Sequence, residues 1–355
     1  MKIAILTKDL MQPPHPRIVM ECELLSAEGY EVEIIHATNR KPIGIYSKFC
    51  YFITLTFFRW DLIKIYKQKA AAFSTVIIYD LSLLPLAKHF HHQKKNVIYE
   101  TIDDNVELVS YHLTSKYYFL YPFISLIKKQ LKKFEYNYSQ KYCDAFIVNS
   151  DNLIQINPHK AITNYYASPF ENITLHSSNN LPPAFLYLGL ISEDKGFNEM
   201  LSFAEKFKIP FYLFGNFASS YLADKTRSLP YLFHAPRLSS QELEKELFQL
   251  SNKYRLIGFS LIKDVHESYA FQEANKDIDY MSLGIPFIGN KRGSTKEKIE
   301  AGCGVFHDNA SDIEQLLDDE PFYQQLSDKA LKLYNKKYSK KNFKEKLLGA
   351  FDKIL

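Results

Sequence analysis

The chain has 355 residues, of which 46% are hydrophobic and 24% are charged, and its formal net charge is +4. That length exceeds what one hydrophobic core usually serves, so two domains are expected, and the composition excludes a mainly disordered chain. The weak net charge does not indicate nucleic-acid binding, and four scattered cysteines without a Cys-x-x-Cys pair favour a reducing, cytosolic compartment over a zinc site or a disulfide framework.

The first half of the sequence alternates short apolar runs with helical patterns. KIAILT is predicted as a buried strand, PRIVMECELLSAEG as a helix that ends at Gly29, and EVEIIHA as a second strand. Further strands are predicted at STVIIYD, KNVIYETID and CDAFIVNS, with helical segments among them. Such alternation is typical of a parallel sheet that is covered by helices on both faces.

The second half repeats this alternation. PAFLYLG, PFYLFGN and RLIGFSLI are predicted strands, separated by the helical segments KGFNEMLSFAEKF and SSQELEKELFQLSNK, and the tail is predicted to be helical with a break at Pro321. The sequence therefore predicts an α/β protein with two Rossmann-like, doubly wound parallel-sheet domains that face a cleft. The expected divisions are an N-terminal domain at 1–165, a linker at 166–182, a C-terminal domain at 183–335 and a closing helix at 336–355. A return of that helix to the N-terminal domain stays open.

The stretch ANKDIDYMSLGIPFIGN, residues 274–290, combines a helix start, a glycine stop and a buried apolar run. Asn275 is predicted as the N-cap, Lys276 opens the helix, and Gly284 ends it in the left-handed conformation. The free N–H groups of the first turn form an anion site beside the Lys276 cation, and Asp279 on the same face can accept both hydroxyls of a ribose. The alternative is an ordinary surface ion pair.

The same stretch resembles the donor-site signature of GT-B glycosyltransferases of the family 4-like group (group 1), where a lysine, then an acidic residue and Tyr-Met, precede Gly-x-Pro and a buried strand. FLYLGLISEDKGFNEML resembles that family's first donor-domain strand, its glycine turn and the Lys-Gly pair whose lysine reaches the donor phosphates, and YLFGN resembles the next strand and turn. The resemblance implies a nucleotide-sugar site formed by Gly189, Lys195, Gly196, Gly215, Asn275, Lys276, Asp279 and Tyr280. UDP-sugar is the expected donor, with GDP-sugar as an alternative and no obligatory cofactor.

Two positions depart from the family pattern. Many retaining members carry two glutamates eight residues apart, and Phe271 stands at the first of these positions, with Asp279 at the second. Leu190 stands where the family has an arginine after the glycine turn. Glu273 is a candidate to compensate for the missing glutamate through a loop shift. Retention and inversion of the anomeric configuration are both left open.

The acceptor side offers a candidate general base. YETIDDNVEL follows a predicted strand, and Asp103 or Asp104 at its end is expected to take the proton from an attacking sugar hydroxyl. The alternative is that one of them caps the next helix. His15 and Arg17, in the loop after the first strand and at the start of the next helix, are candidates to touch acceptor or phosphate, although an exposed loop histidine is the simpler interpretation.

Metal binding is not expected. The sequence has no Asp-x-Asp motif, and the histidines of KHFHHQKK lack suitably placed carboxylates, so they are interpreted as a solvated helix end.

Membrane contact is expected at the surface only. The N-terminal apolar run is too short for a signal peptide, and FCYFITLTFF stops at about half the length of a spanning helix. Aromatic residues mix with Lys and Arg in KYYFLYPFISLIKKQLKKFEYNYSQKY and YSKFCYFITLTFFRWDLIKIYKQK, a composition suited to the inner leaflet of a membrane. The alternative is that one face packs on the sheet and the lysines are solvated.

These observations together predict a cytoplasmic glycosyltransferase of hexosyltransferase type that is peripherally attached to the membrane. It would move a sugar from a nucleoside-diphosphate donor to a hydroxyl of a lipid-linked glycan, in bacterial capsule, exopolysaccharide or O-antigen assembly. The competing hypotheses are a non-catalytic scaffold or regulatory subunit of a glycan assembly complex, and a nucleotide-sugar epimerase or hydrolase on the same fold.

Overall fold

The computed structural model describes residues 1–8, 15–36, 60–108, 110, 122–171, 173, 175, 181–227, 229–263 and 273–354. Within it the chain forms two compact units. Unit 1 comprises Met1–Tyr165 together with Phe343–Leu355, and unit 2 comprises Tyr166–Asn342. Phe271, residues 46–59 of one aromatic-basic stretch and residues 116–121 of the other lie outside the described residues.

Unit 1 is built on a parallel sheet of six strands in the order β2-β1-β3-β4-β5-β6. The strands are β1 (Lys2–Thr7), β2 (Glu31–His36), β3 (Thr75–Tyr79), β4 (Asn96–Thr101), β5 (Ala145–Val148) and β6 (Ala161–Thr163). The central strands β3 and β5 are buried along their whole length, as expected for strands covered on both faces.

Helices cover this sheet. They are α1 (Pro16–Ala27), α2 (Trp60–Lys69), α3 (Pro85–His92) and α4 (Ile124–Tyr142), with short 3₁₀ helices at Ala70–Ala72, Leu81–Leu83 and Asp151–Ile156. Both α1 and α3 begin with proline in the first turn, where the missing N–H has no helical partner to lose. One face of α4 is buried through Leu131, Glu135 and Ser139, so two polar side chains of this helix enter the interior.

Unit 2 contains a second parallel sheet of six strands, in the order β12-β11-β10-β7-β8-β9. The strands are β7 (Pro183–Leu188), β8 (Phe211–Phe214), β9 (Leu232–Ala235), β10 (Arg255–Ser260), β11 (Phe287–Gly289) and β12 (Gly304–Phe306). On one side of the sheet the chain proceeds from β7 through β8 to β9, and on the other side it proceeds from β10 through β11 to β12. This doubly wound order places the topological switch point between β7 and β10.

The helices of unit 2 lie between its strands and after the last strand. They are α5 (Phe197–Phe207), α6 (Ser220–Arg227), α7 (Ser240–Ser251), α8 (Asn275–Ser282), α9 (Gly293–Glu300), α10 (Ala310–Asp318) and α11 (Glu320–Lys337), with a 3₁₀ helix at Glu193–Lys195; the closing helix is α12 (Lys340–Asp352). Local signals fix several of their ends. Ser239 and Glu242 form a capping box at α7, and Asp319 accepts a hydrogen bond from the Phe322 N–H at the start of α11.

The predicted α/β class and the doubly wound parallel sheets are confirmed. Three short strands were not predicted: β6 within the Asn- and Ser-rich stretch after residue 157, β9 within LPYLFHAPRL, and β12 within AGCGVFHDN. All three are edge strands of three or four residues, too short for an apolar period to be recognised.

Candidate donor site and acceptor-side residues

The predicted donor residues of unit 2 meet at the carboxyl edge of its sheet, at the switch point. Strand β7 ends just before Gly189, and the turn that follows leads to Lys195 at the end of the 3₁₀ helix. Helix α8, which carries Lys276 as its second residue, is the next described element after β10. Ligands of doubly wound sheets bind at this position, so the sequence-predicted residues converge where the fold alone predicts a site.

The glycine turns after β7 and β8 are in direct contact. A Cβ atom added to Gly215 would lie 1.8 Å from the carbonyl oxygen of Gly189, a distance that no side chain tolerates. The Gly189 N–H donates to the Phe214 carbonyl oxygen at 2.9 Å, which ties the first turn to the end of β8. Gly215 is therefore required for the close approach of the two loops at the edge of the sheet, and Gly189 is favoured by its φ of 124°.

Gly196 fixes the position of Lys195. Its φ of 79° is left-handed, and an added Cβ would lie 2.5 Å from the Cβ of Leu261, just after β10. The Lys195-Gly196 turn therefore packs directly against the end of β10. Helix α5 begins at the next residue, Phe197, so the lysine stands at the N-terminal end of a helix.

Lys276 is half-buried and its charge is disfavoured. Its Nζ lies 4.8 Å from the centroid of the Tyr187 ring, a cation–π contact. Burial, followed by repulsion from Lys195, lowers the pKa of Lys276 from 10.5 to about 7. The two lysines are thus close enough at the switch point to repel each other, and the charge of an anionic ligand would offset both the desolvation and the repulsion.

Asn275 is the first residue of α8 rather than its cap. The N-cap is Ala274, and no side chain caps the helix. The N-cap role predicted for Asn275 is therefore wrong, because the extended backbone of the loop continues to Ala274. Among the described residues, the buried Oδ1 of Asn275 has no hydrogen-bond partner. The amide of Asn275 and the uncapped first turn remain as polar groups beside Lys276.

Asp279 lies one turn further along α8. Its Oδ1 accepts a hydrogen bond from the Tyr166 hydroxyl at 3.3 Å, and Ser168 also hydrogen-bonds to the carboxylate. Burial raises the pKa of Asp279 to about 7, against the opposing effect of these two donors. The carboxylate is half-buried and retains further acceptor capacity.

Tyr280 lies in the core. It is 0% exposed, and its hydroxyl donates to the Leu186 carbonyl oxygen at 3.1 Å and accepts from the Leu188 N–H at 3.2 Å. The ring fills the space above Gly258, where an added Cβ would lie 2.6 Å from Tyr280 Cδ2. Tyr280 thus joins α8 to β7 and β10, and the ligand contact predicted for it does not fit this core position.

Glu273 is committed to a buried ion pair. Its side chain is 3% exposed and is bonded to Lys298 of α9, whose side chain is 1% exposed. The hypothesis that Glu273 compensates for the missing family glutamate does not fit this position, because its carboxylate points into the protein. Leu190, at the position of the family's arginine, is 54% exposed.

Asp103 and Asp104 follow β4 at the carboxyl edge of the unit 1 sheet. Asp104 is 7% exposed, and its Oδ1 accepts a hydrogen bond from the Glu107 N–H at 3.0 Å, so it caps the helical turn at 105–108. Burial raises the pKa of Asp104. Asp103 is half-buried and the more accessible of the two.

A cavity of about 250 Å³ lies beside Asp104. Its walls also include Lys132, Glu135 and Gln155. Glu135 accepts a hydrogen bond from the Tyr99 hydroxyl at 2.6 Å, and burial raises the pKa of Glu135 to about 8. Sequence reasoning missed Glu135, because a glutamate within a charged helical run carries no signal that it faces inward. A second cavity of about 320 Å³ lies at the opposite, amino edge of the unit 2 sheet, near Arg255.

Arg17 has a structural position. It is 1% exposed, donates to Glu100 through Nε, and donates to the Asn164 carbonyl oxygen through Nη1 at 2.8 Å. Glu21, on the next turn of α1, completes the cluster and accepts from the Tyr79 hydroxyl. The suggested contact of Arg17 with acceptor or phosphate is therefore wrong, because its guanidinium is enclosed by carboxylates inside unit 1.

The histidines of KHFHHQKK lie in the last turn of α3, and His91 and His92 pack near Tyr142 of α4. Within the described ranges, no group of three or more His, Cys, Asp and Glu side chains is arranged to hold a metal ion. In the same residues, no helix combines the length and the apolar character needed to cross a bilayer.

Comparison with known proteins finds no matching family model and no matching curated sequence. Solved structures do match over the full length. Sucrose-phosphate synthase from Thermosynechococcus elongatus aligns with 99% of this chain and 98% of its own, at 12% identity and a TM-score of 0.70. HepE of Anabaena, in complex with UDP-glucose, covers 99% of both chains at 12% identity and a TM-score of 0.67. The lipopolysaccharide outer core galactosyltransferase WaaB covers 100% of both chains at 11% identity and a TM-score of 0.64.

The chain therefore has the GT-B fold, with two Rossmann-like units of six parallel strands each. At these identities the likeness establishes the fold only.

Proposed function

We propose that this protein is a glycosyltransferase that uses a nucleoside-diphosphate sugar, with UDP-sugar as the first candidate and GDP-sugar as the second. The observation that carries the proposal is the pairing of Lys195 and Lys276 at the switch point of unit 2, with a Lys276 pKa of about 7. Burial and repulsion by Lys195 disfavour the charge on Lys276, although Asp277 and Asp194 oppose this effect, and a bound anion would favour that charge further. UDP-glucose in the structurally similar HepE is consistent with that ligand class.

The residues have distinct proposed roles. Lys195, Lys276 and the uncapped first turn of α8 would hold the diphosphate and stabilise its charge as it leaves. Asp279 would accept the ribose hydroxyls, and Gly189 and Gly215 would let the backbone approach the ligand. Asp103 or Asp104 would remove the proton from the acceptor hydroxyl. We favour Asp103, because Asp104 already holds a helix N-terminus.

The acceptor is proposed to be a lipid-linked glycan of a bacterial surface polysaccharide. Helix α4 supports this part of the proposal, because Leu126, Lys129 and Lys133 are exposed along one face, and Phe123 at its start is 58% exposed. A mixed apolar and basic face suits the inner leaflet of an anionic membrane. The match to WaaB, a lipopolysaccharide outer core galactosyltransferase, agrees with such a glycan.

The donor is tested by unfolding the purified protein with UDP, GDP, ADP and their sugar conjugates. A nucleotide at about 100 times its Kd stabilises the folded state by about 2.7 kcal/mol. We expect a shift with one nucleotide, and its loss in Lys276→Met. The matched control is Lys291→Met, which removes an exposed lysine paired with Asp308 and should keep the shift. No shift with any nucleotide would contradict the proposed donor.

Turnover separates the competing hypotheses. Incubation with the selected sugar nucleotide and a crude lipid-linked acceptor fraction should yield a glycosylated lipid, detected by mass spectrometry. Binding without transfer would favour a scaffold or regulatory subunit. Conversion or hydrolysis of the donor without any acceptor would favour an epimerase or hydrolase.

Membrane attachment is tested by cosedimentation with vesicles of phosphatidylglycerol and phosphatidylcholine. Each exposed lysine near an anionic surface contributes about 1 kcal/mol. Lys129→Glu/Lys133→Glu should therefore reduce binding at least tenfold, whereas Lys253→Glu, an exposed lysine in unit 2, should not. Equal binding by both variants would contradict the role of α4.

A further inference from the structure

We propose that Lys298 is a positioning residue for the diphosphate-binding turn at the start of α8. It would hold Ala274, Asn275 and Lys276 in the geometry that binds the donor, although Lys298 itself is buried and touches no ligand. This inference rests on the proposed function. It assigns a role to a lysine that no sequence motif indicated.

Lys298 is bonded to carboxylates on both sides of the turn. Its Nζ contacts Glu273, which precedes the turn, and lies 3.5 Å from Oδ2 of Asp277, which follows it. All three side chains are 3% exposed or less. One cation therefore clamps the two ends of the segment 274–276 from inside the protein.

Helix α9 makes two further contacts at the start of α8, one with Asp277 and one with Ala274. The Thr295 hydroxyl donates to Asp277 Oδ2 at 2.7 Å, and the Ala274 N–H donates to Ser294 Oγ at 3.4 Å. Ser294 in turn accepts from Lys298 Nζ at 3.1 Å. Because no side chain caps α8, these contacts with α9 fix where its first turn begins.

The buried charges of Glu273, Asp277 and Lys298 stabilise the fold inefficiently, because burial removes them from water. Burial raises the pKa of Glu273, although Lys298 opposes this rise, and Asp277 Oδ1 has no hydrogen-bond partner among the described residues. Well-packed apolar side chains are often as stabilising as a buried ion pair, or more so. The network does offer a fixed geometry, because each of its charges has a partner in a defined direction.

The position of the first turn of α8 matters because this turn carries Lys276, which is proposed to bind the diphosphate, as its second residue. A shift of about 1 Å in a group that binds or orients a substrate can cost up to about a hundredfold in rate. If the first turn relaxes, the backbone N–H groups and Lys276 move together. Affinity for the diphosphate should then fall more than affinity for the nucleoside part of the donor.

The test compares the affinities of wild type and variants for UDP and for uridine, measured by calorimetry and by ligand displacement. Lys298→Met breaks the clamp but leaves two buried carboxylates unpaired, so Glu273→Gln/Lys298→Met is the main variant. Thr295→Val is a milder one that removes a single hydrogen bond to Asp277. Tyr323→Phe is the control, since it removes a buried hydrogen bond to Leu256 at the opposite edge of the sheet.

We expect the double variant to bind UDP at least about tenfold more weakly while uridine binding changes less than about twofold. Thr295→Val should show a smaller effect of the same kind, and Lys298→Arg should restore part of the UDP affinity. Tyr323→Phe should lower Tm with UDP binding intact. The inference is overturned if the folded variants bind UDP like the wild type, or if UDP and uridine weaken equally. Failure of the wild-type protein to bind UDP or GDP would instead refute the proposed function.

Discussion

Replacing Lys276 with methionine should weaken nucleotide binding and, at the same time, stabilise the protein. The pKa of Lys276 falls from 10.5 to about 7, mainly through burial and then through repulsion by Lys195. A lysine with a lowered pKa costs folding free energy at every pH at which the unfolded chain carries the charge. Methionine keeps the length and apolar contacts of the side chain and removes that cost.

The gain in folding stability on replacing Lys276 follows from the pKa values of this lysine in the unfolded and the folded protein. Below pH 7 the lysine is charged in both states and its full cost is present. Between pH 7 and 10.5 the unfolded state binds the proton and the folded state does not, so wild-type stability rises with pH. The upper limit of that rise is about 1.4 kcal/mol per pH unit, reduced here by the partial exposure of the side chain.

Urea unfolding of both proteins at pH 6.5, 8.0 and 9.5 measures this difference. The stability gain of Lys276→Met should be largest at pH 6.5 and should shrink steadily towards pH 9.5. Lys291→Met, which replaces an exposed and paired lysine, should show neither the gain nor this pH trend. A Lys276→Met protein that is less stable than wild type at pH 6.5 would refute the reasoning, because it would mean that Lys276 is charged and well paired.

Three other outcomes are expected. UDP-glucose affinity should fall as pH rises above 7, because the diphosphate does not titrate there and Lys276 of the unliganded protein must take up a proton to pair with it. Calorimetry in buffers of different ionisation enthalpy measures the uptake of that proton. An affinity that does not change with pH would contradict this expectation. Gly215→Ala should abolish nucleotide binding or folding, since the alanine Cβ would lie 1.8 Å from the carbonyl oxygen of Gly189. Normal UDP binding by a folded variant would show that the two turns need not touch. Tyr280→Phe should destabilise by about 1–3 kcal/mol in denaturant titration by leaving buried strand groups unpaired, with UDP affinity unchanged in the folded protein.

The sequence predicted the layered α/β architecture because buried parallel strands are nearly continuous apolar runs. It also predicted which segments lie at the switch point of unit 2, since a glycine turn, a Lys-Gly pair and a polar helix start after a strand have a recognisable local pattern. The short edge strands β6, β9 and β12 were missed because three or four residues contain too little periodicity.

The misassigned side chains share a physical cause. Arg17 and Glu273 are polar residues near predicted loops, where exposure is the ordinary expectation. Their actual partners, Glu100 and Lys298, are 83 and 25 residues away in the chain, so only the folded structure brings them together. Lys298 itself lies in a charged run of α9 that resembles a solvated helix face.

The membership of Phe343–Leu355 in unit 1 has a consequence for the order in which the chain folds during synthesis. Phe343 lies against the Arg17 guanidinium, and Tyr30 stacks on Phe351 at a centroid distance of 5.8 Å. A domain made first on the ribosome usually folds first. Unit 1 cannot complete its packing until residues 343–355 have emerged, so the portion translated first should be the last to mature. During that interval the surface that Phe343 and Phe351 later cover stays exposed, and exposed apolar surface favours aggregation.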